Sequence, residues 1–243
     1  MSSSIDPANS SQTDKPQKPS MSGLLFEMVL CILVPTMILK KLSGAEQLGA
    51  TWALVLALSF PLCWGLFEFI KHKKVKFVPA LGFISILLTG GIGLMKLDAG
   101  YIAIKEAAIP FVIGLATLLS TKTRSPLVKM FLYNDTVLEV DKVAAALEQN
   151  QAQSNFNRIM RNATWMLAGS FFLSATLNYA LAKFLVTSPS GTEEFNSQLG
   201  SMNLWSYPVI VLPCMVVMIY AMFYIFRNIK SLTGLPLEEI VRS

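Results

Sequence analysis

The sequence predicts an all-α polytopic membrane protein with six transmembrane helices, and two observations support this prediction. Of the 243 residues, 53% are hydrophobic and only 14% are charged, whereas roughly 25% of residues are charged in an ordinary soluble domain. The apolar residues also fall in runs of about 20, the length that an α-helix needs to cross the hydrocarbon core of a bilayer. A soluble globular protein is therefore disfavoured.

Six apolar stretches, in chain order, are predicted to be the transmembrane helices. Backbone N–H and C=O groups find no water inside lipid, so each stretch must be helical or belong to a closed barrel. The runs are continuous and lack the alternation of barrel strands, which excludes the barrel. The predicted spans are 23–39, 48–70, 77–95, 101–120, 164–186 and 207–226. The first of them is the least regular, because it is short and contains Glu27.

Lysine and arginine are distributed unevenly between the two sides of this predicted bundle. With six spans, both tails and the second and fourth connections share one side, and most basic residues lie there. The opposite side holds Lys40, Lys41, Lys96 and Lys183. Cytoplasmic segments carry an excess of lysine and arginine, so both termini are predicted to be cytoplasmic. The net charge of +5 is thus a topology signal, and no nucleic-acid partner is predicted.

The spans group into three hairpins joined by polar segments. The second helix of each hairpin contains a proline, at Pro61, Pro110 or Pro213, where a kink is expected. Residues 23–120 are predicted to hold the first four spans and residues 163–228 the last two. The extramembrane segments are a disordered cytoplasmic tail at 1–22, a cytoplasmic linker at 121–162, an outer loop at 187–206 and a cytoplasmic tail at 229–243.

The cytoplasmic linker contains one predicted amphipathic helix. Asn134 and Asp135 are suited to cap its start. Apolar residues then recur at three- and four-residue spacing, at Val137, Val140, Ala144 and Leu147. Such a helix is expected to pack beneath the bundle or lie on the membrane surface, with docking of a partner as the alternative. Residues 149–157 are predicted to be a polar linker, and the outer loop to be partly mobile.

Small and polar residues on two spans predict contacts between helices, because they permit close backbone approach in lipid. The third span carries a stripe with two further glycines beside it, formed by Gly82, Ser85, Thr89 and Gly93 with Gly90 and Gly91. On the fifth span, Ser170, Ser174 and Asn178 recur every four residues. Helix packing is the first interpretation and a solute pathway is the alternative, which Asn178 favours most because its amide requires partners.

Ionisable residues inside spans are costly and are treated as functional candidates. Glu68 lies near the cytoplasmic end of its span and is expected to be solvated. Glu27 lies about 6 Å inside its boundary at roughly 1.5 Å per residue, which also permits contact with water. Lys105 and Glu106 lie a similar distance inside the outer boundary of the fourth span. Lys105 is expected either to snorkel along its apolar stem or to pair with Glu27 or Glu106.

Templates for catalysis and for cofactor or metal binding do not fit the sequence. His72 is the only histidine, so histidine-based zinc sites and Ser-His-Asp catalysis lack their parts. The three cysteines lie in apolar spans without metal-ligand spacing. No phosphate-binding loop occurs. The sequence therefore predicts no enzyme, no cofactor and no metal site.

Several short motifs between the third and fifth spans match in order and spacing those of a known family. They are the basic run at 73–76, Gly90-Gly91 followed by Asp98, Tyr101-Ile102 with Lys105, Ser125-Pro126-Leu127-Val128, Thr164-Trp165, Ser170-Phe171-Phe172 and Leu177-Asn178-Tyr179. In these motifs, about half of the chain resembles the bacterial intracellular septation protein A family and related uncharacterised inner-membrane proteins. The resemblance draws attention to Gly90, Gly91, Lys105, Pro126 and Asn178, and brings no catalytic site.

Two functions follow as hypotheses. The resemblance implies a non-enzymatic protein of the bacterial inner membrane that supports envelope organisation or division, through the lipid bilayer, other envelope membrane proteins or self-association. The alternative is a small-solute transporter or channel that uses Glu27, Lys105, Glu106 and Asn178, because buried charge and interrupted helices are common near transport sites.

Overall fold

The computed structural model describes residues 29–72, 77–121, 128, 133 and 138–240. Within these ranges the chain is helical and contains no β-sheet. Three helices are long and apolar enough to cross a membrane, at Gly49–Phe67, Gly100–Ser120 and Glu193–Thr233, and a shorter apolar helix covers Leu81–Leu94. The chain therefore has the character of a membrane protein, whereas the count of six spans and the side of each terminus stay predictions.

The first hairpin begins with a π-helical segment at Val29–Leu33, followed by helix α1 at Val34–Lys41. Pro35 lies in the first turn of α1, where its missing N–H costs no helical hydrogen bond. Helix α2 at Gly49–His72 follows and contains Pro61 within the helix, as predicted. The helix starts at a left-handed residue, Gly49, with φ of 72°, a conformation that glycine adopts without steric cost.

The second hairpin consists of α3 at Phe77–Leu94 and α4 at Gly100–Ser120. Its turn is closed by Asp98, whose Oδ1 accepts a hydrogen bond of 2.7 Å from the backbone N–H of Gly100. Such an Asx turn satisfies a donor that the start of a helix leaves free. Pro110 lies inside α4, as predicted.

The third hairpin is longer than its predicted spans. Helix α5 at Val140–Gln149 precedes α6, which covers Gln153–Leu185. At 33 residues, α6 measures about 50 Å at roughly 1.5 Å per residue. The residues at 153–157, expected to belong to a polar linker, instead form its first turns. They are helical because Phe156, one of these residues, is buried against neighbouring helices.

The return arm of this hairpin is helical throughout. Helix α7 at Glu193–Ser206 leads into a π-helical segment at Tyr207–Val211, then into α8 at Leu212–Thr233 and the short α9 at Leu237–Ile240. The predicted outer loop at 187–206 is therefore mostly helix α7. Pro213 lies inside the apolar helical stretch Glu193–Thr233, as predicted, in the first turn of α8 directly after the π-helical segment. Prolines lack the N–H of the regular helical ladder, and widened turns commonly accompany such interruptions.

Helix α5 buries most of the predicted apolar stripe that the structure describes. Val143 and Leu147 are buried, Val140 is partly buried and Ala144 is exposed. The amphipathic helix is present and packs against α6, α8 and α9, but Val143 takes the place of Ala144 in its buried stripe. The predicted caps, Asn134 and Asp135, lie outside the described residues, as do the tail at 1–22 and the end of the C-terminal tail at 241–243.

Buried apolar side chains form two separate clusters at opposite ends of α6. The hairpin core joins the turns of the three hairpins and consists of Ile38, Leu39, Ala53, Leu54, Ala57, Ile92, Ile102, Ala103, Ala182, Val186, Phe195, Leu199 and Met202. The tail core joins α5, α6, α8 and α9 and consists of Val128, Leu138, Val143, Leu147, Ala152, Phe156, Ile159, Met160, Ala163, Leu167, Ala221, Ile225, Ile229 and Ile240. Helix α6 connects the two cores.

Candidate functional site

Lys105 occupies the second turn of α4 and is the one buried lysine or arginine in the described part of the chain, with 7% of the residue exposed. Its ammonium points at α3. Nζ donates hydrogen bonds to Thr89 Oγ1 at 2.8 Å and to Ser85 Oγ at 3.1 Å. The Thr89 hydroxyl itself donates to the backbone carbonyl of Ser85 at 3.0 Å. The lone pairs of the Thr89 hydroxyl oxygen therefore stay available to accept from the Lys105 ammonium.

Glu106 completes the site as the counter-ion of Lys105. The Nζ atom lies 2.7 Å from Glu106 Oε1, and 24% of the Glu106 side chain is exposed. Of the two arrangements expected for Lys105, the structure shows the ion pair with Glu106. The ammonium does not snorkel to the surface. Glu27, the other partner considered, and the side chain of Glu68 lie outside the described residues.

The ammonium of Lys105 is fully coordinated by the protein. It carries three hydrogens, and Glu106, Ser85 and Thr89 supply three acceptors within 3.1 Å. A buried charge is tolerated only when it is both paired and hydrogen-bonded. The four residues therefore form a polar clamp, defined as Ser85, Thr89, Lys105 and Glu106, that joins α3 to α4.

Asn178 uses its amide within its own helix. Its Nδ2 donates to Ser174 O at 2.8 Å and to Ser174 Oγ at 3.2 Å. Ser170, one turn before Ser174, faces α8, and its Oγ donates to Cys214 O at 3.5 Å. The structure thus brings Lys105 and Glu106 together with Ser85 and Thr89, and gives Asn178 a separate position on α6.

The glycines of α3 have different surroundings. A Cβ at Gly93 would overlap Leu54 of α2 and lie 3.3 Å from Phe195 of α7. A Cβ at Gly90 would lie 3.0 Å from Leu58 Cδ1, while Gly82 and Gly91 have open space. The predicted stripe on α3 therefore divides: Gly90 and Gly93 permit close approach of α2 and α7, and Ser85 and Thr89 hold Lys105.

Sequence reasoning missed Asn196, which is fully buried at the start of α7. Its Nδ2 donates to Ala50 O at 2.7 Å and to Ser43 Oγ at 2.9 Å. These bonds tie α7 to the turn between α1 and α2. The sequence does contain a signal for the helix that carries Asn196, because Thr192 followed by Glu193 and Glu194 is typical of a helix start. The Thr192 side chain indeed accepts a hydrogen bond from Phe195 N–H.

Metal-binding side chains are not grouped in the described ranges, where no three His, Cys, Asp or Glu side chains lie close enough to hold one ion. No family model, no curated protein and no solved structure matches the chain.

Proposed function

We propose that this chain is a non-enzymatic integral protein of the bacterial inner membrane that supports envelope organisation or division. In this proposal six helices in three hairpins cross the bilayer, with both termini in the cytoplasm. The partners are the lipid bilayer and other envelope membrane proteins, or a second copy of the chain. The sequence resemblance to the septation protein A family is the reason for proposing envelope organisation or division as the process.

One observation carries the non-enzymatic, structural part of the proposal. All three hydrogens of the Lys105 ammonium have acceptors supplied by the protein itself. A site that binds a solute through an ammonium has to leave a donor for that solute. In the polar clamp, the donors of Lys105 are instead all used to join α3 to α4. This supports a fixed helix bundle that acts through contacts with lipid or with other proteins.

The proposed topology has a direct test by cysteine labelling. Cys31, Cys63 and Cys214 are first replaced by alanine, and single cysteines are then placed at Gln151 and at Thr187, two exposed positions outside the proposed spans. In intact cells, a membrane-impermeant thiol reagent that enters the periplasm is expected to label position 187. Position 151 should react only after the membrane is opened. Labelling of both positions in intact cells contradicts the topology.

The proposed role is tested by removal and replacement of the protein. A strain that lacks the chain is expected to show altered cell length or detergent sensitivity, which the wild-type chain restores. Affinity capture from solubilised membranes is expected to yield the same envelope protein, or a second copy, repeatedly. Normal envelope integrity in the deletion strain, together with repeated captures that yield no partner, contradicts the role.

A small-solute transporter or channel is the second candidate, and the buried Lys105–Glu106 pair inside a proposed span favours it. It requires water to reach the polar clamp. Single cysteines at Ser85 and Thr89 would then react with an impermeant thiol reagent in membranes about as readily as one at Thr187. Protection of positions 85 and 89, with position 187 labelled, supports the structural role instead.

A further inference from the structure

Helices α6 and α8 both carry exposed basic side chains at one level, next to the tail core. Asn162 Nδ2 donates to Tyr224 Oη at 3.0 Å, which fixes the register of these two antiparallel helices. Four exposed basic residues lie within two turns of that bond, on the side toward the tail core. We call them the basic collar: Arg158, Arg161, Arg227 and Lys230.

Exposed aromatic residues lie on the other side of the same hydrogen bond. Trp165 is 57% exposed, Tyr220 63% and Phe223 68%. Aromatic side chains next to arginine and lysine are typical of the level where hydrocarbon meets headgroups. In the membrane placement proposed above, the Asn162–Tyr224 bond therefore lies at one membrane interface.

The lengths of both helices agree with this placement. From Trp165 to the end of α6 at Leu185, the helix rises about 30 Å at roughly 1.5 Å per residue, which matches the hydrocarbon thickness. On the returning arm, Trp205 is 55% exposed and lies a similar distance from Tyr224. Trp205 therefore belongs to the opposite interface.

The basic collar has no counter-ions within the chain as far as the structure describes it. The ion pair found there joins Lys105 to Glu106, and none of the four collar residues forms one. Carboxylates of α5 and α9, such as Glu148 and Glu238, are exposed and form no ion pair with the collar. Four uncompensated cations at a headgroup level attract phosphate groups, which arginine binds in charge-assisted hydrogen bonds.

We propose that the basic collar binds the phosphates of anionic phospholipids in the leaflet next to the tail core. The occupant is a lipid headgroup, because the collar residues are exposed on both helices of the pair and lie next to the level of the exposed aromatics. Binding there holds the tail core against the membrane surface. This inference rests on the membrane placement proposed above.

The test uses the full chain with Trp165 as its only tryptophan, the others being replaced by phenylalanine. The protein is reconstituted in vesicles of phosphatidylcholine and phosphatidylglycerol in which one lipid at a time is brominated near the headgroup. Brominated phosphatidylglycerol is expected to quench Trp165 well beyond its share of the lipid. Quenching in proportion to the bulk composition overturns the proposal.

Charge substitutions make the test specific. Arg158→Gln with Arg161→Gln is expected to lower the local preference for phosphatidylglycerol by about 25-fold, since each basic residue near an anionic surface contributes roughly fivefold. Lysine at both positions is expected to retain the preference. An unchanged preference in the glutamine variant contradicts the collar.

Two controls separate this proposal from its premise and from free phosphate. A chain with Trp205 as its only tryptophan is expected to show no lipid preference, because no basic residue lies beside it in sequence. Absence of quenching by either brominated lipid contradicts the membrane placement itself. Loss of the preference on adding inorganic phosphate, but not chloride of equal ionic strength, assigns the collar to free phosphate and overturns the lipid proposal.

Discussion

The Lys105 ammonium and the Glu106 carboxylate lie 2.7 Å apart, although the two residues are adjacent on α4. Neighbouring helical positions point about 100° apart and ordinarily do not face each other. The pair forms because Ser85 and Thr89 on α3 hold the ammonium from the other side. The ion pair is thus a product of helix packing, and its stability depends on the contact between α3 and α4.

Lys105→Met is expected to lower the free energy of unfolding by about 2–4 kcal/mol, because it leaves the Glu106 carboxylate unpaired inside the bundle. Thermal or denaturant unfolding in detergent measures the change. Lys183→Met is the matched control, since Lys183 is exposed on α6 and its replacement should change stability by less than about 0.5 kcal/mol. Equal effects of both substitutions contradict a buried clamp.

The coupling between the two charges is measured separately. Glu106→Gln is expected to destabilise the protein, and the double variant Lys105→Met with Glu106→Gln to lose less than the sum of the two single losses, by about 1–2 kcal/mol. The reason is that the second substitution removes the charge that the first leaves unpaired. Additive losses, measured by the same unfolding experiment, contradict direct pairing.

Gly93→Ala is expected to destabilise the bundle by about 1–3 kcal/mol, because the added methyl group overlaps Leu54 and crowds Phe195. Gly91→Ala provides a control two residues away on the same helix, where the methyl group meets open space. That variant should be neutral or slightly stabilised, since alanine favours a helix over glycine by roughly 1 kcal/mol. Unfolding temperatures in detergent compare the two variants. A Gly93→Ala protein as stable as Gly91→Ala contradicts the close approach of α2.

Much of the fold follows from run length and hydrophobicity. Helices occupy the described parts of all six predicted stretches, because a long apolar run buries its backbone best as a helix. The segment at 193–206 was expected to be a loop because its composition is polar. It is helical because Thr192 caps its start and Phe195 enters the hairpin core, and packing overrides composition there.

The candidate site was predictable in its members but only partly in its contacts. Charge inside a span singles out Lys105 and Glu106 from sequence alone. Their partners, Ser85 and Thr89, were interpreted as packing residues, because sequence periodicity places them on one face of α3 without saying which side chain faces them. Asn196 was missed for the same reason, since its hydrogen bonds reach residues about 150 positions away.

Asn196→Ala is expected to cost about 1–3 kcal/mol, because it removes the donor to Ala50 O and Ser43 Oγ inside the hairpin core. Asn203→Ala, at an exposed position on the same helix, serves as the control and should stay within about 0.5 kcal/mol of wild type. Asn196→Asp should be at least as damaging as alanine, since a carboxylate faces the Ala50 carbonyl without a hydrogen to donate. Full stability of the aspartate variant in a denaturant titration contradicts the assigned hydrogen bonds.

Ile240→Glu is expected to open the tail core while leaving the hairpin core folded. The Ile240 side chain is fully buried in the tail core, and its carbonyl accepts a hydrogen bond of 2.9 Å from Glu139 N–H at the start of α5. A buried, unpaired carboxylate there should release α9, so that trypsin cleaves at Lys142 on α5 several-fold faster.

Glu239→Ala, at the preceding exposed position, is the control and should leave the cleavage rate unchanged. A labelled cysteine at Gly44, in the turn between α1 and α2, reports the hairpin core in the same samples. If cleavage at Lys142 stays slow in Ile240→Glu, or if the label at position 44 changes together with it, the two cores are not independent units.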